Sequence, residues 1–140
     1  MRTQARYPLV VFDLDGTLIE HHEPVWKTLH HALGSDPERR RAVIADALAG
    51  RITYEAWFAA DRDMLSAAGA TRDAIVQVAG RLSPAPGALS LVRDLRAGGA
   101  RVAVISGGLE LVLTTVLPDI VLDAVLINRL HFDDAGRIVG

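Results

Sequence analysis

Two aspartates separated by one residue, Asp13 and Asp15, stand in the segment Asp13-Leu14-Asp15-Gly16-Thr17, directly after the apolar run Leu9-Val10-Val11-Phe12. Alternate residues of an extended chain point the same way, so one carboxylate can attack while the other handles protons. A short apolar run with β-branched residues reads as a parallel strand buried on both faces. Its carboxyl end is where open α/β sheets bind ligands. Gly16 permits a tight turn there, and Gly16 and Thr17 are counted with the ligand-binding residues.

A second apolar run, Val102 to Ile105, ends at Ser106-Gly107-Gly108. The Ser106 hydroxyl and the backbone N–H groups of Gly107 and Gly108 would hold phosphate oxygens at the start of a helix read from Leu109 to Leu117. Attack by Asp13 on a phosphate dianion meets like-charge repulsion of roughly 4 kcal/mol per pair at about 4 Å and an effective dielectric near 20. Cations are therefore required, and Mg²⁺ with Asp13 and Asp15 as its protein ligands is the expected cofactor. Asp15 would protonate a leaving alkoxide and later activate water. Either element alone reads equally well as a turn or helix cap; both, each after a buried strand, favour chemistry.

The elements that must position these groups follow from the pattern. From Glu20 to about Leu82 the apolar spacing is helical. Trp26, Leu29, His30 and Leu33 share one face, and Gly34 ends that helix. Asp36-Pro37 restarts a second, with Val43, Ile44, Ala47 and Leu48 as its apolar face. Thr53 opens a third, lined by Trp57, Phe58 and Leu65, and Thr71 caps a fourth carrying Ile75, Val78 and Leu82. Ser83-Pro84-Ala85-Pro86-Gly87 is a hinge, because two prolines and a glycine continue neither flanking helix. Beyond it come a helix on Leu89, Val92 and Leu95, the strand at Val102, a strand at Val125-Leu126-Ile127 and a hairpin turning at Asp134-Ala135-Gly136.

The expected fold is α/β: a three-layer Rossmann-like core with a parallel sheet, residues 1–19 and 84–140, expected to lack its C-terminal part, and an inserted α-helical cap, residues 20–83. At 140 residues one such core is within reach. Half the residues are hydrophobic and 23% are charged, a globular composition. The net charge of −2 provides no basic field for nucleic acid. No run is long enough to span a membrane and no leader pattern precedes the first strand, so a cytoplasmic location is expected. The absence of cysteine excludes disulfides and thiolate chemistry.

Asp13-Leu14-Asp15-Gly16-Thr17-Leu18 and Ser106 resemble the first and second motifs of the haloacid dehalogenase superfamily. Val104-Ile105-Ser106-Gly107-Gly108, Asn128-Arg129-Leu130 and Arg81-Leu82-Ser83-Pro84 ahead of Gly87 are similar to its phosphoserine-phosphatase-like branch. The likeness implies Asp13 as nucleophile, Asp15 as acid/base, Ser106 as phosphate ligand and the helical insert as a cap over the substrate. An aspartate at the position of Asp15 separates the branch from dehalogenases, phosphonatases and ion-pumping ATPases, which favours phosphate-ester hydrolysis. The implied partner is a small phosphorylated metabolite; a homodimer is left open.

Departures from the resemblance bear on activity. The family's lysine and its second acidic metal-binding pair normally lie beyond residue 140, and the chain's one lysine, Lys27, reads as a solvated helix residue. Loss of one charge contact of about 4 kcal/mol would slow turnover roughly a thousandfold. The family's cap glutamate and arginine align with His22 and Asp61, whereas Glu23 and Arg62 lie one residue along. His22, Glu23 and Arg62 are therefore the candidate cap contacts, for phosphoserine or another small phosphomonoester. Asp133-Asp134 reads as a turn rather than a metal pair. His21-His22 and His30-His31 lack zinc-ligand spacing. Three rival readings stand beside hydrolysis by this chain: phosphate-ligand binding with little or no turnover, a fragment of a longer enzyme, and transfer of the phosphoryl group to an acceptor alcohol.

Overall fold

The computed structural model describes residues 5–140. Its elements are β1 (Leu9–Phe12), β2 (Ile19–Glu20), α1 (Val25–Leu33), α2 (Pro37–Leu48), α3 (Tyr54–Ala67), α4 (Arg72–Ala79), β3 (Ser83–Pro84), α5 (Ala88–Ala97), β4 (Arg101–Leu109), α6 (Glu110–Val116) and β5 (Ala124–Asn128). They form two compact units. One holds the described residues up to Val25 together with Ala79–Arg129; the other holds Trp26–Val78 and Leu130–Gly140. The terminal segment, expected with the sheet, thus groups with the helices. The Arg72 N–H donates to the Gly136 carbonyl at 2.8 Å and Thr71 bridges Arg137, so backbone pairing ties that segment to the start of α4.

In the first unit the sheet order is β1-β4-β5, all parallel. β1 lies beside β4 in the register Leu9 to Arg101 through Phe12 to Val104. One face is covered, with Val102 and Val104 fully buried among Val92, Val112 and Leu113. The other is not: Leu9 is 53% exposed, Val11 47%, Ile105 54% and Leu126 59%. The expectation of strands buried on both faces therefore holds for one face only. With β4 between β1 and β5, crossovers of the usual right-handed sense put α5 and α6, which both pack on β4, on one side of the sheet. A short antiparallel pair, β2 with β3, was not anticipated. It joins the outgoing chain at Ile19 to the returning chain at Pro84, inside what the sequence presents as a hinge.

The helical unit is capped as its sequence suggests. Asp36 accepts the Glu38 and Arg39 N–H groups at 2.9 and 3.1 Å, Thr53 accepts Ala56 N–H at 3.2 Å, and Thr71 accepts Ala74 N–H at 3.2 Å. The apolar face expected on α2 is not buried: no residue of that helix is, and Leu48 is among the most exposed apolar residues. The inward anchor of α2 is instead Arg40. Its Nε lies 3.5 Å from Asp61 Oδ1 on α3, and His30 Nε2 on α1 lies 2.9 Å from the same oxygen. Arg40 and Asp61 are at ion-pair distance, and the His30 ring lies against the same carboxylate oxygen. Trp26 stacks on His30 with ring centroids 6.0 Å apart and meets Phe58 edge-on at 5.7 Å, enclosing the cluster.

One buried carboxylate thus joins three helices. Removing a single member of a buried pair strands the other, at a cost of about 3 kcal/mol, whereas apolar replacement of both is far milder. Asp61→Ala is expected to lower the unfolding free energy by about 3 kcal/mol, and His30→Leu with Asp61→Leu by clearly less. Chemical denaturation decides, and equal losses would contradict the pairing.

Candidate active site

Leu14 fixes the first half of the site. Its side chain is fully buried, and its carbonyl accepts the N–H groups of Thr17, Leu18 and Ile19 at 3.2, 3.0 and 3.0 Å. The chain therefore doubles back immediately after β1, with Asp13 and Asp15 on either side of the anchor. Gly16 makes the reversal at φ +73°, and a Cβ there would lie 3.3 Å from the His21 carbonyl. A side chain at position 16 is thus opposed by both backbone strain and space. Leu18 and Ile19, also buried, close the turn.

The two carboxylates occupy different environments. Asp13 is exposed at the end of β1. Asp15 is half-buried; its Oδ2 accepts the Val25 N–H at 2.9 Å, at the start of α1, while its Oδ1 is buried without a hydrogen-bond partner. Burial raises the Asp15 carboxyl above its ordinary range, and the neighbouring Asp13 charge adds to this. The Val25 N–H and His21 act against it. With no cation at the site, this carboxyl holds its proton longer than usual, the state in which it can donate to a leaving group.

The second half is a bulge, not the first turn of a helix. The β4–β5 register passes from Ile105 opposite Leu126 directly to Leu109 opposite Asn128. Ser106, Gly107 and Gly108 therefore stand against the single residue Ile127 and are pushed out of the ladder. The helix α6 begins only at Glu110. Ser106 Oγ accepts the Gly108 N–H at 3.0 Å, so one of the two expected phosphate-binding amides is turned toward the hydroxyl. The halves converge at Gly108: a Cβ there would lie 3.2 Å from Ser106 Oγ, 3.5 Å from Asp15 Oδ1 and 3.7 Å from Leu14 Cδ2.

Asp13, Asp15, Gly16, Thr17 and Ser106 to Gly108 all belong to the sheet unit, as do His22 and Glu23 in the segment entering α1. Arg62 belongs to the helical unit, where its guanidinium pairs with Asp63 at 2.8 to 2.9 Å. Asp61 is enclosed with His30 and Arg40. Asp133 closes the terminal turn: Oδ1 accepts the Ala135 and Arg137 N–H groups at 3.0 and 2.8 Å, and Oδ2 pairs with Arg137 Nε at 2.8 Å. These bonds hold its carboxyl below the ordinary range. Two contacts were not foreseen: the Val25 amide on Asp15, and Asn128, whose Nδ2 donates to the Gly107 carbonyl at 2.9 Å. Asn128 stands in a stretch that the sequence marks without giving it a task.

As to a divalent cation, no group of three acidic or histidine side chains that could hold one occurs among the described residues. Mg²⁺, however, commonly takes one or two carboxylates, completing its shell with water and substrate oxygens. Asp13, with the unpartnered buried Oδ1 of Asp15, fits that smaller donor set. No helix among the described residues is long and apolar enough to cross a membrane.

Comparison with known proteins agrees with this construction. The family model for haloacid dehalogenase-like hydrolases matches residues 7–135. A phosphoserine phosphatase of Mycobacterium tuberculosis is 31% identical over 135 residues, covering 94% of this chain and 32% of that protein. One from Methanocaldococcus jannaschii is 26% identical over 132 residues, covering 94% and 60%. Among solved structures, a haloacid dehalogenase family hydrolase from Salmonella enterica serovar Typhi superposes with a TM-score of 0.73 at 25% identity, over 94% of this chain and 43% of that one. The chain thus spans between about a third and three fifths of these curated relatives. With both aspartates of the first loop and the serine bulge on adjacent parallel strands, and a family match over nearly its whole length, the chain belongs to the haloacid dehalogenase-like hydrolases, in their phosphoserine-phosphatase-like branch.

Proposed function

We propose that this chain carries the aspartyl-phosphate chemistry of a phosphatase acting on small phosphomonoesters. The observation that carries the reading is the half-buried Asp15, with one oxygen unpartnered, beside the Ser106–Gly108 bulge at the carboxyl ends of β1 and β4. An Asp13 oxygen attacks phosphorus as the ester oxygen leaves, and Asp15 gives that oxygen its proton. The ionised Asp15 then takes a proton from water, whose oxygen attacks the phosphorus of the aspartyl-phosphate; inorganic phosphate departs and Asp13 is restored. The Ser106 hydroxyl, oriented by the Gly108 N–H, and the Gly107 amide hold the non-bridging oxygens, with Gly16 and Thr17 flanking the nucleophile. When bound at Asp13 and Asp15, Mg²⁺ supplies positive charge against the repulsion of about 4 kcal/mol per pair between carboxylate and phosphate.

The relatives are named for phosphoserine, and that ester belongs to the proposed class. The helical segment, residues 20–83, is proposed as the cap, and His22, Glu23 and Arg62 are kept as candidate substrate contacts. Asp61 is engaged by His30 and Arg40 within the helical unit, so the class is kept at small phosphomonoesters. A second reading is phosphate binding at the Ser106 bulge with little turnover, for which the Gly108 N–H already engaged by Ser106 Oγ is the observation.

Phosphate release from a panel of small phosphomonoesters with Mg²⁺ tests the first reading. Wild type is expected to turn over and Asp13→Asn to lose activity by at least about a thousandfold. Equal rates in the two proteins would refute it, and phosphate binding without release would favour the second. Asp15 adds an expectation for stability. Its folded-state pKa is raised, so its ionised form is penalised by folding, and its contribution to stability is lost as pH rises through that raised value. In chelator-treated, metal-free buffer, Asp15→Asn should therefore melt higher than wild type at neutral pH, with the gap closing as pH falls through the carboxyl's titration. A lower melting temperature for Asp15→Asn at neutral pH would contradict this.

A further inference from the structure

The Ser106–Gly108 bulge contains a peptide that the strand ladder does not fix: within the bulge only the Ser106 hydroxyl holds it, at its N–H end. Neither Gly107 nor Gly108 carries a side chain, so rotation of the plane between them meets little steric resistance. The two orientations differ chemically. A trans peptide points its carbonyl and N–H in opposite directions. In the observed orientation the Gly108 N–H donates to Ser106 Oγ, on the backbone that also approaches Asp15 Oδ1. The flipped orientation would present a carbonyl oxygen there instead, an acceptor beside a carboxylate and a phosphate-binding hydroxyl.

The ladder cannot choose between them, because the register skips over these residues. A side chain from the neighbouring strand does. Asn128 is the last residue of β5 and pairs with Leu109 immediately after the bulge; its Nδ2 donates to the Gly107 carbonyl at 2.9 Å. The next residue, Arg129, reaches Glu110 at 2.8 Å, so the end of β5 is also tied to the start of α6. We infer that Asn128 is a positioning residue that locks the Gly107–Gly108 peptide with its N–H on the Ser106 side, keeping the bulge competent to receive phosphate oxygens. The phosphate part of this inference rests on the function proposed above.

A hydrogen bond of this kind contributes about 0.5–1.5 kcal/mol net, which corresponds to roughly a two- to tenfold effect. Asn128→Asp keeps the size of the side chain but replaces the donor by an oxygen that repels the carbonyl. Asn128→Ala removes the donor without adding charge and covers the case in which Asp disturbs β5. Two readouts on the full chain are needed: hydrogen exchange of assigned backbone amides by NMR, and the dissociation constant for inorganic phosphate from a titration of the same amides. Both variants are expected to exchange the Gly108 amide up to about tenfold faster, while the Val102 and Val104 amides keep their rates, and to bind phosphate about two- to tenfold more weakly. An unchanged Gly108 rate in both variants, or exchange accelerated across β4 and β5 alike, would overturn the lock and reduce Asn128 to an ordinary strand residue. Failure of wild type to bind phosphate at all would overturn the phosphate-site reading instead, and with it the role given to the lock.

Discussion

Parallel pairing of Leu9–Phe12 with Arg101–Val104 in a single register is the constraint on which the site depends. Because Phe12 lies opposite Val104, the chain leaves the two strands at nearly the same level, and the Asp13 turn and the Ser106 bulge emerge side by side. A slip of one residue would exchange the buried and exposed faces of β1 and carry the Asp13 turn away from the bulge. The register is enforced by fully buried Val102 and Val104 on the covered face, and by Leu14, Leu18 and Ile19 just beyond the strand. Asp123 secures the far end of β4, accepting the Val102 N–H at 2.7 Å while pairing with Arg96.

Around that frame the site carries features that cost stability. Asp15 keeps an unpartnered buried oxygen next to a second carboxylate, an arrangement that lowers stability unless a proton or a cation arrives. Glycines at 107 and 108 leave the bulge adaptable, at the cost of needing Asn128 to hold it. The same sheet leaves Leu9, Val11, Ile105 and Leu126 about half exposed on its second face. Parallel sheets are ordinarily covered on both sides.

What could be read from the residues, and what could not, divides along physical lines. The strands around Val10, Val104 and Leu126, the caps at Asp36, Thr53 and Thr71, and the glycine-dependent turn after Asp13 are local features, and each stands where propensity and pattern place it. Burial is not local. The run Leu9 to Phe12 carries no mark distinguishing a strand covered on one face from a strand covered on two. Likewise Val43, Ile44 and Ala47 on α2 are only partly buried and Leu48 is exposed, while the charged Arg40 reaches Asp61. The bulge was hidden for a related reason: Ser106-Gly107-Gly108 reads as a loop before a helix, and only the register against β5 shows three residues standing against one. Asn128 and the Val25 amide reach the site from distant positions in the chain, so no spacing rule could have brought them to it.

The central claim is that Asp13 accepts a phosphoryl group. Acid quenching of the chain after incubation with a small phosphomonoester and Mg²⁺, followed by intact mass and peptide mapping, tests it most directly. The expected result is a mass increment of one phosphoryl group, carried by the peptide that contains Asp13 and absent from Asp13→Asn. A chain that binds phosphate at the Ser106 bulge yet never gains that increment, or gains it at another residue, would contradict the account.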